Sequence, residues 1–160
     1  MLRYARSCGE NTAYFLERQL SAYEAEAATF GPAADGAEDA VRSLYASGHS
    51  VTAVGNQSVQ AIRSFLAVHD LLGAVRRVSA RVGPHSRRLL PDPFLLNQVI
   101  EVLGSVPERY LFIAATAGDA EAAQAIGIPV IGYGVAIPGG ASIESMSELV
   151  VDELINWRVH

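Results

Sequence analysis

The sequence predicts an α/β protein built on a parallel sheet covered by helices on both faces, and three observations carry that prediction. Two runs, Tyr110-Leu-Phe-Ile-Ala114 and Pro129-Val-Ile-Gly-Tyr133, are almost wholly apolar, as strands buried on both faces are. Between them Glu121, Ala122, Ala123, Ala125 and Ile126 make a short helix that Gly127 closes. Strand, helix and strand in this order describe a parallel βαβ unit with the usual right-handed crossover. The third observation lies just upstream. Pro91, Asp92 and Pro93 punctuate the start of a helix, with Asp92 as N-cap and Pro93 at the first helical position. Phe94, Leu95, Val99, Ile100 and Leu103 then recur at helical spacing until Gly104 ends the stripe.

The rest of the chain fits around this unit. Asn11 to Ala28 is Ala- and Glu-rich and reads as a helix, with Tyr14, Phe15, Leu16, Leu20 and Tyr23 on its apolar side. Gly31, Pro32 and Gly36 mark Thr29 to Gly36 as a loop. Ala37 to Ser47 is a helix with Val41, Leu44 and Tyr45 inward. Val51 to Val54 is a strand, Gly55-Asn-Gln-Ser58 a turn, and Val59 to His69 a helix. Ala74 to Val82 holds another short strand, and Gly83 to Leu90 is a loop. After Tyr133 come a loop from Gly134 to Gly140, a capped helix from Ser145 and a final helical turn through Trp157. There is no internal repeat.

Composition narrows the function. A chain of 160 residues, 50% hydrophobic, is long enough to bury about 70% of its unfolded surface without staples. A net charge of −5 and a pI near 5.3 argue against nucleic acid as the main partner. The lone Cys8 excludes an intrachain disulfide and a thiolate zinc cluster. No stretch approaches the ~20 apolar residues of a membrane span, and the N-terminus lacks an apolar signal core, so a cytoplasmic protein without a membrane partner is expected. All 12 basic residues are Arg, which removes Schiff-base, P-loop and catalytic-ammonium chemistry.

In parallel sheets ligands sit beyond the carboxyl ends of the strands, which directs attention to the turn Ala115-Thr-Ala-Gly-Asp119. Thr116 and Asp119 there have two readings, the remnant of an ion site or caps of the following helix. Asn56-Gln57-Ser58 also has two. Backbone N–H groups at a helix N-terminus favour an anion by about 0.3–1 kcal/mol, or Ser58 simply caps its helix. Arg76, Arg77, Arg81, Arg87 and Arg88 form a solvated basic face, or Arg87 or Arg88 reaches a phosphate. Other motifs fail. Gly132-Tyr-Gly134 with Gly139-Gly140 lacks dinucleotide spacing, Gly55-Asn-Gln-Ser-Val is not a nucleophile elbow, and His49, His69, His85 and His160 share no metal-ligand spacing.

The succession Pro91-Asp-Pro-Phe-Leu-Leu96, helix, apolar strand, hydroxyl-bearing turn, Asp119, Glu121-Ala-Ala123 and Gly127-Ile-Pro-Val-Ile-Gly-Tyr133 resembles the haloacid dehalogenase (HAD) superfamily, in its phosphoglycolate phosphatase and phosphoglucomutase-like branch. The similarity runs from about Arg42 to about Leu149. The fold it implies is a HAD-like, Rossmannoid three-layer parallel sheet with a helical cap inserted after the first core strand. Residues 1–36 then correspond to a partial cap and 37–160 to the α/β core. The activity it implies is magnesium-dependent hydrolysis through an Asp nucleophile, an acid/base Asp, a hydroxyl, a Lys and paired metal-binding acids. Transfer of a dianionic phosphoryl group needs such cations and donors to offset crowded negative charge.

Carried over position by position, these roles are mostly vacant. The hydroxyl position falls on Gly55, followed by Asn56, Gln57 and Ser58. The lysine position falls on Leu90, and the first magnesium acid on Ala115. Only the second acid is kept, as Asp119. The strand ending in Asp-x-Asp has no counterpart, since the chain opens Met1-Leu-Arg-Tyr-Ala-Arg6. Its neighbours in the sheet would stand roughly 10 Å apart unless the sheet closes between Val54 and Ala114 or another segment pairs there. The expectation is a catalytically silent HAD-like domain. A phosphate-binding remnant would lie at Asn56, Gln57, Ser58, Arg88 and Thr116, and a metal remnant at Asp119. No cofactor is expected, and the partner is a small phosphorylated ligand or a protein. The alternative is a Mg2+-dependent phosphatase of small phosphomonoesters whose nucleophile lies outside the recorded chain. Self-association through the unpaired middle of the sheet is a third expectation.

Overall fold

The computed structural model describes residues 9–84 and 88–149. Helix α1 (Glu10–Ala28) is followed by α2 (Ala37–Ala46), strand β1 (Val51–Ser58), α3 (Val59–Val68) and β2 (Val75–Arg81). Then come α4 (Phe94–Leu103), a 3-10 turn (Pro107–Arg109), β3 (Phe112–Ala114), α5 (Ala117–Gln124), β4 (Val130–Tyr133), β5 (Ala141–Ile143) and a last 3-10 turn (Met146–Glu148). Each pairing is parallel. β1 pairs β2, and β3, β4 and β5 follow one another in that order. The parallel α/β architecture is therefore as expected, with one sharp feature. The sheet does not close in the middle: among the described residues β1 pairs only with β2 and β3 only with β4, leaving two sheets.

The apolar residues that predicted the elements also pack them. Leu96 of α4, Ala122 and Ala123 of α5 and Ile128 form one buried cluster, with Val54, Ile100, Phe112 and Val130 against it. Ala122 and Ala123 are fully buried, and their small side chains let α5 seat closely on the second sheet. Leu66, Leu71 and Val75 form a second cluster with Val51, Ala53, Ile62 and Phe65. Burying each Leu is worth about 1.5–3 kcal/mol. Gly104 takes the left-handed conformation that closes α4, at φ 65°, a geometry that favours glycine.

Several elements differ from the sequence reading, each for a local reason. β1 continues through Ser58 because Asn56 and Gln57 are accommodated as an irregularity between the pairs Gly55↔Ala80 and Ser58↔Arg81, so these residues are a bulge and not a turn. Tyr110 and Leu111 precede β3. α5 starts at Ala117, since Thr116 caps it, and α4 has Pro93 as N-cap while the Asp92 carboxylate accepts from Phe94 N at 2.9 Å. β5 was not expected, and Ser145 caps only a 3-10 turn, through a capping box with Glu148. The inner face of α1 is the largest correction. Ala13, Glu17 and Ala25 are buried whereas Tyr14, Phe15 and Tyr23 are exposed; small residues and two acids face inward because the ion cluster described below lies there. Tyr45 of α2 is exposed as well. Cys8, His85, Arg87, Trp157 and His160 lie outside the described residues.

Candidate functional site

A short relay of contacts links Asn56 to the turn from Thr116 to Asp119. Asn56, in the bulge, clasps Leu90 with both ends of its amide: Nδ2 donates to Leu90 O at 2.9 Å and Leu90 N donates to Oδ1 at 2.7 Å. The next residue, Pro91, lies against the second turn, since a methyl group placed on Gly118 would come 3.5 Å from Pro91 Cβ. Thr116 Oγ1 accepts from Asp119 N at 3.1 Å as the cap of α5. Asn56, Leu90-Pro91 and Thr116 to Asp119 therefore line one rim. Gln57 is exposed. Arg88 stands apart, its guanidinium 4.8 Å from the centre of the Phe94 ring, a cation–π contact.

Ser58 is where the geometry is most informative. Its hydroxyl accepts from Ala61 N at 3.2 Å, capping α3. Its backbone N–H donates to the Glu24 carboxylate at 2.9 Å. The N-terminus of α3, an electropositive helix end, thus already holds an anion, supplied by α1 of the same chain. Glu24 is fixed in turn by Arg81. Arg81 Nη2 donates to Glu24 Oε2 at 2.7 Å and Nη1 to Glu24 Oε1 at 3.0 Å, while Nε donates to Glu17 Oε1 at 3.0 Å and Nη1 also reaches Asn56 O at 3.1 Å. The bidentate fork is the strong form of this pairing. Ser21 Oγ completes Glu17 Oε1 at 3.0 Å.

Burial makes the cluster consequential. The Arg81 side chain is 5% exposed and that of Glu17 8%. Burial alone would push the Glu24 carboxyl up, but hydrogen bonds from Arg81 and from the Ser58 backbone, with the Arg81 charge, outweigh it and hold the pKa below the usual carboxylate value. Burial pulls the Arg81 guanidinium down, and hydrogen bonds to Glu24 and Glu17 outweigh that too, so it stays charged. Arg76, Arg77 and Arg88 are exposed, as a solvated basic face should be; Arg81 is the exception, at 6% exposure for the whole residue. Glu17, Glu24 and Arg81 were missed in the sequence. Their signal was two acids spaced i, i+7 on α1, on the face carrying Ala13 and Ala25.

A magnesium ion would need several oxygen ligands in octahedral geometry. Asp119 is the single retained acid, and among the described residues no three His, Cys, Asp or Glu side chains come together. The described residues alone do not make such a site. No helix of the described residues is long and apolar enough to cross a membrane.

The chain has the fold of solved HAD-superfamily hydrolases. The solved structures with which the chain shares that fold include a HAD-superfamily hydrolase, subfamily IA variant 1, from Geobacter sulfurreducens (TM-score 0.65, 23% identity, 76% of this chain and 55% of that one). They also include CbbY from Rhodobacter sphaeroides in complex with phosphate (TM-score 0.63, 17% identity, 72% and 55%) and a HAD-superfamily hydrolase from Ehrlichia chaffeensis (TM-score 0.64, 16% identity, 79% and 59%). In sequence, the chain is 31% identical over 105 residues to a phosphoglycolate phosphatase from Salmonella typhimurium, a match covering 62% of this chain and 41% of that protein. No family model matches. The chain thus spans about half the length of the proteins it resembles.

Proposed function

We propose that this HAD-fold chain acts by binding and does not itself hydrolyse phosphomonoesters. The observation that carries this reading is the Glu24 carboxylate on Ser58 N–H. A phosphate approaching the N-terminus of α3 meets a fixed like charge where it needs donors, and like charges at hydrogen-bond distance repel strongly in a partly buried site. Three further rim positions support the reading: Asn56 is committed to Leu90, Thr116 to capping α5, and Asp119 belongs to no group of three His, Cys, Asp or Glu side chains among the described residues. Incubation with p-nitrophenyl phosphate and Mg2+ is expected to give no turnover above background, with wild type and Asp119→Ala alike. Turnover that Asp119→Ala abolishes would overturn the proposal.

A second reading has one observation in its favour, the 31% identity to a phosphoglycolate phosphatase. On that reading the protein is a Mg2+-dependent phosphatase of a small phosphomonoester whose nucleophile lies outside these 160 residues. The same assay separates the two, because only the second predicts Asp119-dependent turnover.

A further inference from the structure

The segment 29–36 joins α1 to α2, and this part of the chain is tied to both ends of α3. At the N-terminus of α3 the Glu24 carboxylate of α1 accepts from Ser58 N–H. At its C-terminus stands His69, whose backbone N–H closes the helix on Phe65 O at 3.2 Å. The His69 ring has an acceptor beside each nitrogen. Glu38 Oε1, in the first turn of α2, lies 2.7 Å from Nδ1, and Gly31 O, in the joining segment, 2.9 Å from Nε2. A neutral imidazole carries one N–H and serves only one of them, whereas the imidazolium carries two and serves both. The cation also suits the electronegative end of a helix. Phe65 backs the arrangement: its ring centre is 4.3 Å from that of His69, and a methyl group placed on Gly31 would come 3.8 Å from the same ring.

We propose that His69 is a protonation-dependent latch: as the imidazolium it ties the segment 29–36 to the C-terminal end of α3, and as the neutral ring it keeps Glu38 and releases Gly31. The choice of bond follows from charge. The contact to the Glu38 carboxylate is the shorter of the two and is charge-assisted, so the remaining proton stays on Nδ1. The Nε2 lone pair then faces the Gly31 carbonyl oxygen, and two acceptors repel. The other charges near the ring are on α2 and in the turn after α3. Arg42 donates to His69 O at 3.1 Å and stands 3.8 Å from Glu38 Oε2 and from Asp39, so it shares Glu38 with the ring; Asp70 is next in the chain. Among the described residues α1, β1 and β2, which also pack on α3, bring no charged side chain into hydrogen-bond contact with the ring. The Gly31 carbonyl first and Glu38 second raise the imidazole pKa against a smaller effect of burial, which puts release above the ordinary imidazole value.

The released stretch is short, because both of its flanks stay tied. On one side Glu24 remains on Ser58 N–H and Arg81, and both charges persist in that range. On the other, Asp35 O accepts from Met146 N at 2.9 Å and Asp35 Oδ2 from Ser145 Oγ at 2.6 Å. Deprotonation of His69 therefore frees residues 30–34 and leaves α1 and α2 in place. Every group of the latch lies among the described residues, and the proposal stands whether or not the rim is catalytically silent.

The test is an NMR pH titration of the full chain that follows the His69 ring carbons, the Gly31 carbonyl carbon and the Ser58 and Met146 amides, with far-UV circular dichroism on the same samples. As pH rises, the Gly31 carbonyl is expected to shift with the same midpoint as the His69 ring, while the two amides and the ellipticity stay constant. Glu38→Gln, which removes the charge and keeps an acceptor, should lower both midpoints together, and His69→Gln should abolish the Gly31 transition. A Gly31 carbonyl that does not move, moves with another midpoint, or still titrates in His69→Gln would overturn the proposal. So would a Ser58 or Met146 amide that moves at the His69 midpoint, which would mean release of a whole helix, or a loss of ellipticity there, which would mean unfolding.

Discussion

Replacing Arg81 by Met removes the charge and keeps most of the stem, and the structure sets the size of the effect. Arg81 bridges Glu17 and Glu24 through contacts of 3.0 and 2.7 Å, with side-chain exposures of 5% for Arg81, 8% for Glu17 and 21% for Glu24. Removing one partner of a buried ion pair leaves an uncompensated charge and costs about 3–5 kcal/mol. That is a large share of the ~5–15 kcal/mol that holds a domain together. At roughly 2–4 °C per kcal/mol for a chain of this length, Arg81→Met should lower Tm by about 6–20 °C. Urea unfolding followed by circular dichroism gives the free energy directly. The triple variant Glu17→Gln/Glu24→Gln/Arg81→Met, which buries no charge, should recover most of the loss. A single variant within about 1 kcal/mol of wild type, or a triple variant as unstable as the single, would refute the claim that the cluster is a buried, mutually dependent unit.

Other predictions follow from the same geometry. His69 lies 2.7 Å from Glu38 Oε1 and 2.9 Å from Gly31 O, and these two contacts, Gly31 first, raise its pKa. A raised folded-state pKa means stability fully present below the ordinary imidazole value and lost as pH rises through the raised one. The urea midpoint should therefore fall as pH rises above the ordinary imidazole value, and His69→Gln should flatten that slope; an unchanged slope in the variant would contradict the assignment. Asn56→Ala unclasps both main-chain groups of Leu90 and should cost about 1–3 kcal/mol in urea unfolding, whereas a loss below a few tenths would mean that water replaces the amide.

Much of the fold was legible because its signals are local. The runs around Phe112 to Ala114 and Val130 to Tyr133 are strands because they are apolar throughout, and Gly104, Gly127 and Thr116 close or open their helices by chemistry confined to one turn. β5 was not legible, since Ala141-Ser-Ile143 is three residues long with only Ile143 buried. The inner face of α1 was misread because burial there follows charge pairing and not hydrophobicity. Tyr14, Phe15 and Tyr23 look like the inward stripe, yet Glu17 and Glu24 take that side to meet Arg81, 64 and 57 residues away in sequence. The same distance hid the candidate site's main feature. Ser58 as a cap is readable from its neighbours, but the carboxylate on its N–H comes from 34 residues upstream. The sequence left open whether the sheet closes between Val54 and Ala114 or another segment pairs there; among the described residues β1 and β3 are not paired with each other.

The central claim is that Glu24 occupies the anion position at the start of α3. The most direct measurement is titration of inorganic phosphate while following the Ser58 backbone amide by NMR, in wild type, Glu24→Gln and Glu24→Ala. The account predicts no shift at Ser58 in wild type and a saturable shift in both variants, where the N–H and Arg81 are released to an external anion. A saturable shift at Ser58 in the wild-type chain would contradict it.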